Sequence, residues 1–286
     1  MKIHSGVMAK GTAEDIQQNL DRTEFTSQFK FLNDQNGLRR GELHTLTSPK
    51  GSGKSTLIRT MILEVACRRK KVLVILSEEM VDLYKINIWK SCFEAFQCEE
   101  KVNEFMANLL FVTELELEDK DPDNFFKNIL EISIANDIDF LVYDNFTTGL
   151  ISQLPIGAQG GALNKFKEIT TKYNFATLLV FHTAKGTSVY NKILDGDDIR
   201  GNASAVNMGS YNYLLATFYN ENPIRAFLIC DKARYHSKAN KKVYELNYDT
   251  STGLYMGDMR SSYDEMQAII NRAKRAGSGG KTNVSI

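Results

Sequence analysis

The most informative segment of this chain is Thr47-Ser-Pro-Lys-Gly-Ser-Gly-Lys-Ser-Thr56. It follows an apolar segment with strand character and precedes an amphipathic helical pattern, which is the context that a phosphate-binding P-loop requires. Gly51 and Gly53 let backbone N–H groups turn toward phosphates, and the N-terminus of the next helix adds the positive end of its dipole. Lys54 is therefore expected to reach the β- and γ-phosphates of a nucleotide, and Ser55 to ligate Mg²⁺.

One position departs from the usual P-loop pattern, because Ser48 stands where the first glycine is expected. A Gly/Ser-rich turn before a helix is the alternative interpretation. The strand, loop and helix in sequence favour the P-loop. The residues predicted to contact the nucleotide here are Ser48, Pro49, Lys50, Gly51, Ser52, Gly53, Lys54, Ser55 and Thr56.

Composition excludes several classes of protein. The 286 residues include 35 basic and 35 acidic side chains, so a globally basic nucleic-acid coat is excluded while a local basic site is not. A hydrophobic content of 43% is that of a globular protein with a real core. No apolar run approaches the roughly 18–20 residues of a membrane helix, so no membrane partner is expected. The four scattered cysteines show no zinc-site spacing.

Short apolar runs alternate with helical patterns through the middle of the chain, which predicts an α/β fold: a RecA-like P-loop NTPase core with a mostly parallel sheet flanked by helices. The predicted strands are 42–47, 71–77, 108–112, 140–144 and 176–181. The predicted helices are 54–68, 81–96, 124–135 and 163–173. After residue 211 turns separate further runs, which predict appended antiparallel strands at 211–219, 224–230, 242–248 and 253–256.

Acidic residues follow two of these predicted strands. Phe140-Leu-Val-Tyr-Asp144 is an apolar strand that ends in a carboxylate, as expected for the residue that holds Mg²⁺ through its waters. Capping of a turn is the alternative role for Asp144. Glu78 and Glu79 follow the second strand and are candidates to orient the attacking water. Adjacent residues of an extended segment point to opposite sides, so only one of them can face the γ-phosphate, and either one could instead be a solvated acid at a helix start.

Several motifs in order resemble the RecA-like hexameric replicative helicases, closest to the helicase domain of phage primase-helicases and to DnaB. Asn36-Gly-Leu-Arg-Arg-Gly-Glu-Leu43 is similar to the segment that leads into their first strand. Ser48 resembles the phage subgroup. Ser77-Glu-Glu-Met80 resembles a motif whose second acidic position is catalytic, which implies Glu79 as the water activator, with Glu78 second.

The resemblance extends to a phosphate sensor and a DNA-binding loop. Val180-Phe-His-Thr183 places His182 where the phage proteins have a histidine that senses the γ-phosphate; a half-buried structural histidine is the alternative. Asp198-Ile-Arg-Gly-Asn-Ala203 resembles a segment that contacts single-stranded DNA in the central channel, although Arg200 could instead be a structural ion-pair partner. The implied DNA-binding residues are Lys185, Arg200, Gly201 and Asn202.

Two later motifs complete the resemblance. Cys230-Asp-Lys-Ala-Arg-Tyr235 is similar to the family's K-x-R-[FY], which implies that Lys232 and Arg234 act on the γ-phosphate of a neighbouring subunit; a solvated strand pair is the alternative. Tyr248, in Asn247-Tyr-Asp-Thr-Ser-Thr-Gly253, resembles a tyrosine that stacks on the nucleotide base, although an ordinary core tyrosine fits the sequence nearly as well.

The family's properties give the remaining expectations. Residues 1–35 are expected to form an arm on the neighbouring subunit, 36–260 the helicase motor, and 261–286 a flexible tail. The expected activity is 5′→3′ translocation on single-stranded DNA and unwinding of forked duplex by a homohexameric ring. ATP or another NTP or dNTP is the substrate, Mg²⁺ the cofactor, and a separate primase and DNA polymerase are partners. A cytoplasmic location is expected, in the host if the chain is phage-encoded. The alternatives are a filament-forming recombinase and a regulatory KaiC-like ATPase.

Overall fold

A computed structural model describes residues 26–116, 121–200 and 204–278. A nine-stranded sheet forms the centre of these residues. The strands are β1 (Leu43–Ser48), β2 (Val72–Leu76), β3 (Leu109–Thr113), β4 (Phe140–Asp144), β5 (Ala176–His182), β6 (Tyr211–Phe218), β7 (Arg225–Ala233), β8 (Lys242–Asp249) and β9 (Leu254–Ser261).

The strand order is β3-β2-β4-β5-β1-β6-β7-β8-β9. Pairs from β3 to β6 are parallel, and the pairs β6–β7, β7–β8 and β8–β9 are antiparallel. The predicted mostly parallel sheet with appended antiparallel strands is therefore confirmed. Because crossover connections return each parallel strand in the same direction, the carboxyl ends of β1, β2, β4 and β5 meet at one edge.

Helices cover both faces of the parallel part. They are α1 (Lys30–Asn33), α2 (Lys54–Ala66), α3 (Val81–Phe96), α4 (Glu99–Met106), α5 (Pro122–Ala135), α6 (Ile156–Tyr173), α7 (Ser204–Met208) and α8 (Tyr263–Ser278). Short 3₁₀ turns lie at Glu114–Glu116, Leu150–Gln153 and Gly196–Asp198.

Alternation along the strands divides the core between these two faces. Val72, Val74 and Leu76 pack with α2, α3 and α4, whereas Leu73 and Ile75 pack with α5 and α6. Successive side chains of a strand point to opposite faces, so a strand that is apolar throughout must be covered on both sides. This explains why β2 is buried along its whole length.

The predicted flexible tail at 261–286 is wrong for most of its length, because Tyr263–Ser278 forms α8. Met266, Ile269 and Ile270 are at most 1% exposed and pack against β6, β7 and β8. Burial contributes roughly 1.5–3 kcal/mol for each such side chain, enough to hold the helix on the sheet. Their i, i+3, i+4 spacing was the signal that the prediction missed. Residues 279–286 lie outside the described residues.

The predicted arm is also wrong where the structure describes it. Phe29, Phe31 and Leu32 are buried in this chain's own core, so residues 26–35 are part of the described α/β fold. Residues 1–25 of the predicted arm lie outside the described residues. Helix α6 begins at Ile156, earlier than predicted. Its first turns contain glycines, which have low helix propensity, so the prediction placed the start too late.

Among the residues that the structure describes, no helix has the length and apolarity to cross a membrane.

Candidate nucleotide-binding site

Four neighbouring strands bring the predicted site residues to one edge of the sheet. Ser48 at the end of β1 pairs with His182 at the end of β5, and Asp144 at the end of β4 pairs with Leu76 at the end of β2. Strands β4 and β5 are paired as well. Neighbouring strands lie about 4.8 Å apart, so the P-loop, His182, Asp144 and the segment after β2 form one continuous site.

The P-loop connects β1 to α2 through two left-handed residues. Gly51 has φ +76° and Gly53 has φ +81°, a conformation that side chains other than glycine rarely adopt. The hydroxyl of Ser52 donates to the carbonyl of Pro49 at 2.7 Å and closes the loop. Ser48 is fully buried as the last residue of β1. Serine is tolerated there because the position is strand, and no left-handed backbone is needed.

Residues of the antiparallel strands support the P-loop from outside. Thr217 of β6 donates to the carbonyl of Ser52 at 2.7 Å, and Tyr219 donates to the carbonyl of Gly51. Tyr255 of β9 packs edge-on to Tyr248, with ring centroids 5.7 Å apart. Tyr248 is 48% exposed, so the alternative of a core tyrosine is wrong, and its ring is available for stacking. Sequence reasoning missed Thr217, Tyr219 and Tyr255, which match no motif.

Lys54 begins α2 with its side chain turned inward. It is 8% exposed, and its Nζ lies 3.3 Å from Nδ1 of His182. Burial lowers the pKa of Lys54, although the carboxylates of Asp144 and Glu78 oppose that shift. A buried ammonium between these groups is well placed to bind an anionic phosphate. Ser55 and Lys50, on the same loop and helix start, are exposed.

The carboxyl group of Asp144 has a raised pKa. Burial raises the pKa of Asp144 to about 6; Lys54 opposes this shift, and Glu78 and Glu79 add to it. A carboxylate destabilised by its surroundings gains from a nearby cation. The oxygen donors of Asp144 and Ser55 fit Mg²⁺, which prefers a few carboxylate or hydroxyl ligands together with phosphates and water.

The two glutamates after β2 face different surroundings. Glu78 is half-exposed, and its Oε1 lies 4.0 Å from Nε2 of His182. Glu79 is less exposed and accepts a weak hydrogen bond from the amide of Asn87 on α3 at 3.5 Å. The two side chains contact different groups, and both add negative charge near Asp144. The choice of Glu79 as water activator stays a prediction.

Asn145 is a residue of this site that sequence reasoning did not single out. It is buried, and its side-chain nitrogen lies 3.2 Å from Nε2 of His182. Its backbone is tied to Ser77 at the end of β2 by two hydrogen bonds: the Asn145 N–H donates at 2.8 Å, and the Ser77 hydroxyl donates back at 3.1 Å. Its position directly after Asp144 was the available signal.

The loop after β5 begins at His182 and returns to it. The backbone N–H of Arg200 donates to the carbonyl of His182 at 2.9 Å. The backbone N–H of Ala184 donates to the carbonyl of Asp198 at 2.7 Å. The side chains of Lys185 and Arg200 are exposed. Within the described residues Arg200 makes no ion pair, so the structural-partner alternative gains no support. Gly201 and Asn202 lie outside the described residues.

Lys232 and Arg234 are not part of this site. Both donate to the backbone carbonyl of Asn207, at 3.1 and 3.2 Å. The backbone N–H of Arg234 donates to the carbonyl of Ser210, the residue before β6. Strand β6 begins beside His44, at the start of β1. The P-loop follows the other end of β1, four residues or about 13 Å farther along the strand. The pair therefore lies near the amino ends of the parallel strands, at the opposite edge of the sheet from the chain's own P-loop.

Comparison with known proteins agrees with the fold. A family model described as an AAA domain matches residues 21–188, more than half of the chain. This chain belongs to the AAA domain family. A solved structure of a KaiC-like protein from the hyperthermophilic archaeon Pyrococcus horikoshii OT3 resembles this AAA-domain chain with a TM-score of 0.59 and 16% sequence identity. The match covers 79% of this chain and 92% of that one. A search of curated proteins found no match. The fold is thus that of a RecA-like P-loop NTPase.

Proposed function

We propose that this chain is an NTP-driven replicative DNA helicase that works as a homo-oligomeric ring, most simply a hexamer. The observation that carries the proposal is the position of Arg234, an exposed side chain at the sheet edge opposite its own P-loop. An arginine there cannot stabilise charge in its own site but can do so in a neighbour's. The K-x-R-[FY] motif and the other helicase-like motifs support the same interpretation.

In this proposal each active site forms between two subunits. The P-loop, Lys54 and Ser55 bind the NTP, with Asp144 and Ser55 as the ligands of Mg²⁺. When bound, Mg²⁺ neutralises charge on the phosphates. Glu79 orients a water for in-line attack, and Lys54 stabilises the charge that develops on the transferred phosphoryl group. Arg234 and Lys232 of the neighbour complete the site.

DNA contact is assigned to the loop that starts at His182. Lys185, Arg200, Gly201 and Asn202 are proposed to grip the backbone of single-stranded DNA, which makes binding tolerant of sequence. The hydrogen bond from the Arg200 N–H to the carbonyl of His182 supports a direct link between the phosphate site and this loop. Loss of the γ-phosphate would then move the loop and the strand it holds, in the 5′→3′ direction. A separate primase and a DNA polymerase are the proposed partners at the fork.

A regulatory ATPase is the second candidate, because the similar structure described above belongs to a KaiC-like protein. The same active-site residues would hydrolyse NTP in both cases. The difference lies in coupling: a helicase's hydrolysis is stimulated by single-stranded DNA, whereas a regulatory ATPase gains little from it. A recombinase-like relative would coat DNA as an open filament.

A forked-duplex assay separates these candidates. The chain is tested on substrates with only a 5′ tail, only a 3′ tail or both, with several NTPs and dNTPs, beside Lys54→Ala. The proposal expects NTP-dependent unwinding from a 5′ tail, lost in Lys54→Ala. ATPase activity without unwinding or DNA stimulation would favour the regulatory candidate. Electron microscopy with DNA and nucleotide adds the assembly: closed rings support the helicase, and open filaments contradict it.

A further inference from the structure

Both ring nitrogens of His182 face a hydrogen-bond donor. Nε2 lies 3.2 Å from the side-chain nitrogen of Asn145, and Nδ1 lies 3.3 Å from Nζ of Lys54. A neutral imidazole has one N–H and one lone pair, so it can accept from only one of the two. The pair of contacts therefore poses a choice between two tautomers.

The orientation of the Asn145 amide is fixed. Its Oδ1 accepts from the backbone N–H of Thr148 at 3.0 Å, from the Thr148 hydroxyl at 2.7 Å and from the Thr147 hydroxyl at 2.9 Å. A backbone N–H can only donate, so the oxygen must face Thr148 and the NH₂ group must face His182. The side chain is 2% exposed, and two hydrogen bonds to Ser77 hold its backbone.

Lys54 has the freedom that Asn145 lacks. Its ammonium sits on a flexible four-carbon stem and rotates its three donors, so it can turn away from a ring N–H. The fixed donor therefore decides the tautomer. Nε2 carries the lone pair that accepts from Asn145, and Nδ1 carries the proton.

The charged groups around His182 do not reverse this choice. Burial and the nearby Lys54, followed by Arg200 and Lys50, lower the pKa of His182, while Glu78 opposes them, so the ring is neutral near pH 7. Glu78 would favour a proton on Nε2, but its Oε1 is 4.0 Å away, beyond hydrogen-bond distance. Asn145 is closer and more deeply buried.

We infer that Asn145 is a positioning residue that holds His182 as the Nδ1–H tautomer, with its ring N–H aimed past Lys54 into the phosphate site. The inference rests on the proposed nucleotide-binding function, because it assigns that N–H to an oxygen of the terminal phosphate. One phosphate oxygen can accept from Nδ1–H and from Lys54 together. The two donors, which face each other without an acceptor, then bind the same anion. Asn145 thereby joins the metal-binding Asp144, its chain neighbour, to the phosphate sensor.

The tautomer can be measured directly. Full-length ¹⁵N-labelled protein without nucleotide, at neutral pH, gives the protonation of each imidazole nitrogen in a long-range ¹H–¹⁵N correlation spectrum, and His182→Gln identifies the His182 signals. The expected result is a protonated Nδ1 and an unprotonated Nε2. A proton on Nε2 alone would overturn the inference.

Variants of Asn145 test the cause. Asn145→Asp keeps the shape but replaces the donor by an acceptor, so Nε2 should gain a proton; Asn145→Ala should release the ring to the other tautomer. Thr148→Val removes one hydroxyl but keeps the backbone N–H, so the wild-type tautomer should persist. An unchanged tautomer in both Asn145 variants would refute the role of this residue.

NTP hydrolysis of the Asn145 variants is measured in parallel. A loss of kcat by about 10-fold or more, at little-changed KM, is expected for a residue that acts through another. Wild-type protein with the Nδ1–H tautomer but no hydrolysis would sink the proposed function and leave the tautomer assignment standing.

Discussion

The hydroxyl of Tyr255 lies beside Gly53, on the side where a Cβ would be. A Cβ added to this glycine would come within 2.9 Å of Tyr255 Oη, closer than real Cβ atoms approach another atom. Gly53 is also left-handed, so two independent constraints require glycine at this position. Gly51 shares the left-handed backbone, but a Cβ there would meet nothing within 4 Å.

Substitution of these two glycines should separate strain from collision. Gly53→Ala is expected to destabilise the protein and weaken nucleotide binding more than Gly51→Ala, which suffers only the left-handed strain of about 1–2 kcal/mol. Adding Tyr255→Phe to Gly53→Ala removes the hydroxyl and should recover part of the loss. Chemical denaturation and nucleotide titration measure both effects. Equal losses in the two single variants would mean that the contact with Tyr255 does not contribute to the effect of Gly53→Ala.

The two glutamates after β2 should differ in their effect on catalysis. Glu79→Gln is expected to lower kcat by about 100-fold or more with nucleotide binding retained, because a positioned water activator acts only in the chemical step. Glu78→Gln, the matched neighbour, should lower kcat much less. Steady-state hydrolysis and direct nucleotide titration provide the comparison. The reverse order would assign the activator to Glu78, the residue nearer His182.

Arg234 should act on the neighbouring subunit. Arg234→Ala and Glu79→Ala are each expected to lose hydrolysis, and an equal mixture should regain part of it, since about a quarter of the interfaces in random rings then combine an intact Glu79 with an intact Arg234. Lys238→Ala removes an exposed cation four residues farther along and should remain active. A mixture as inactive as its parts would exclude a shared site.

Tyr248 should bind the base without taking part in chemistry. Tyr248→Ala is expected to raise KM by about tenfold at nearly constant kcat, because stacking of a base on an aromatic ring is worth roughly 1–3 kcal/mol. Tyr248→Phe keeps the ring and should behave as wild type. Michaelis–Menten measurements on the three proteins decide. A fall in kcat without a change in KM would contradict a stacking role.

His44 should make the fold sensitive to acid. It is fully buried, its Nδ1 lies 3.2 Å from the hydroxyl of Tyr213, and its ring stacks on Tyr211 at 4.7 Å. Burial, with a contribution from the charge of Arg39, lowers the pKa of His44 from 6.5 to about 3, although a backbone hydrogen bond at Arg39 opposes the shift. Below pH 6.5 the unfolded chain binds a proton that the folded chain does not, so stability is lost as pH falls toward 3.

The slope from this histidine is about 1.4 kcal/mol per pH unit within that window. His44→Phe keeps the stacked ring and removes the titration. The free energy of unfolding should therefore fall less steeply with decreasing pH in the variant, as measured by denaturant unfolding at several pH values. Parallel curves for the two proteins would show that His44 is not the responsible group.

Much of the site followed from local sequence because strand ends carry it. The P-loop, Asp144 and His182 each sit at or just after the carboxyl end of a short apolar run, and parallel pairing brings such ends to one edge whatever the loops between them do. The same reasoning could not choose between Glu78 and Glu79, which share one segment and differ only in what surrounds them.

The strands, the phosphate loop and the motif residues could be predicted from local sequence, since they depend on hydrophobic period and on backbone preferences within a few residues. The distant groups that contact them could be found only in the folded structure. Register across β6–β9 brings Thr217, Tyr219 and Tyr255 to the P-loop and keeps Arg234 at the far edge. The turn after β4 aims the amide of Asn145 at His182. Such contacts arise from strand pairing between residues that are tens to hundreds of positions apart in the chain, and local patterns of residue types cannot predict them.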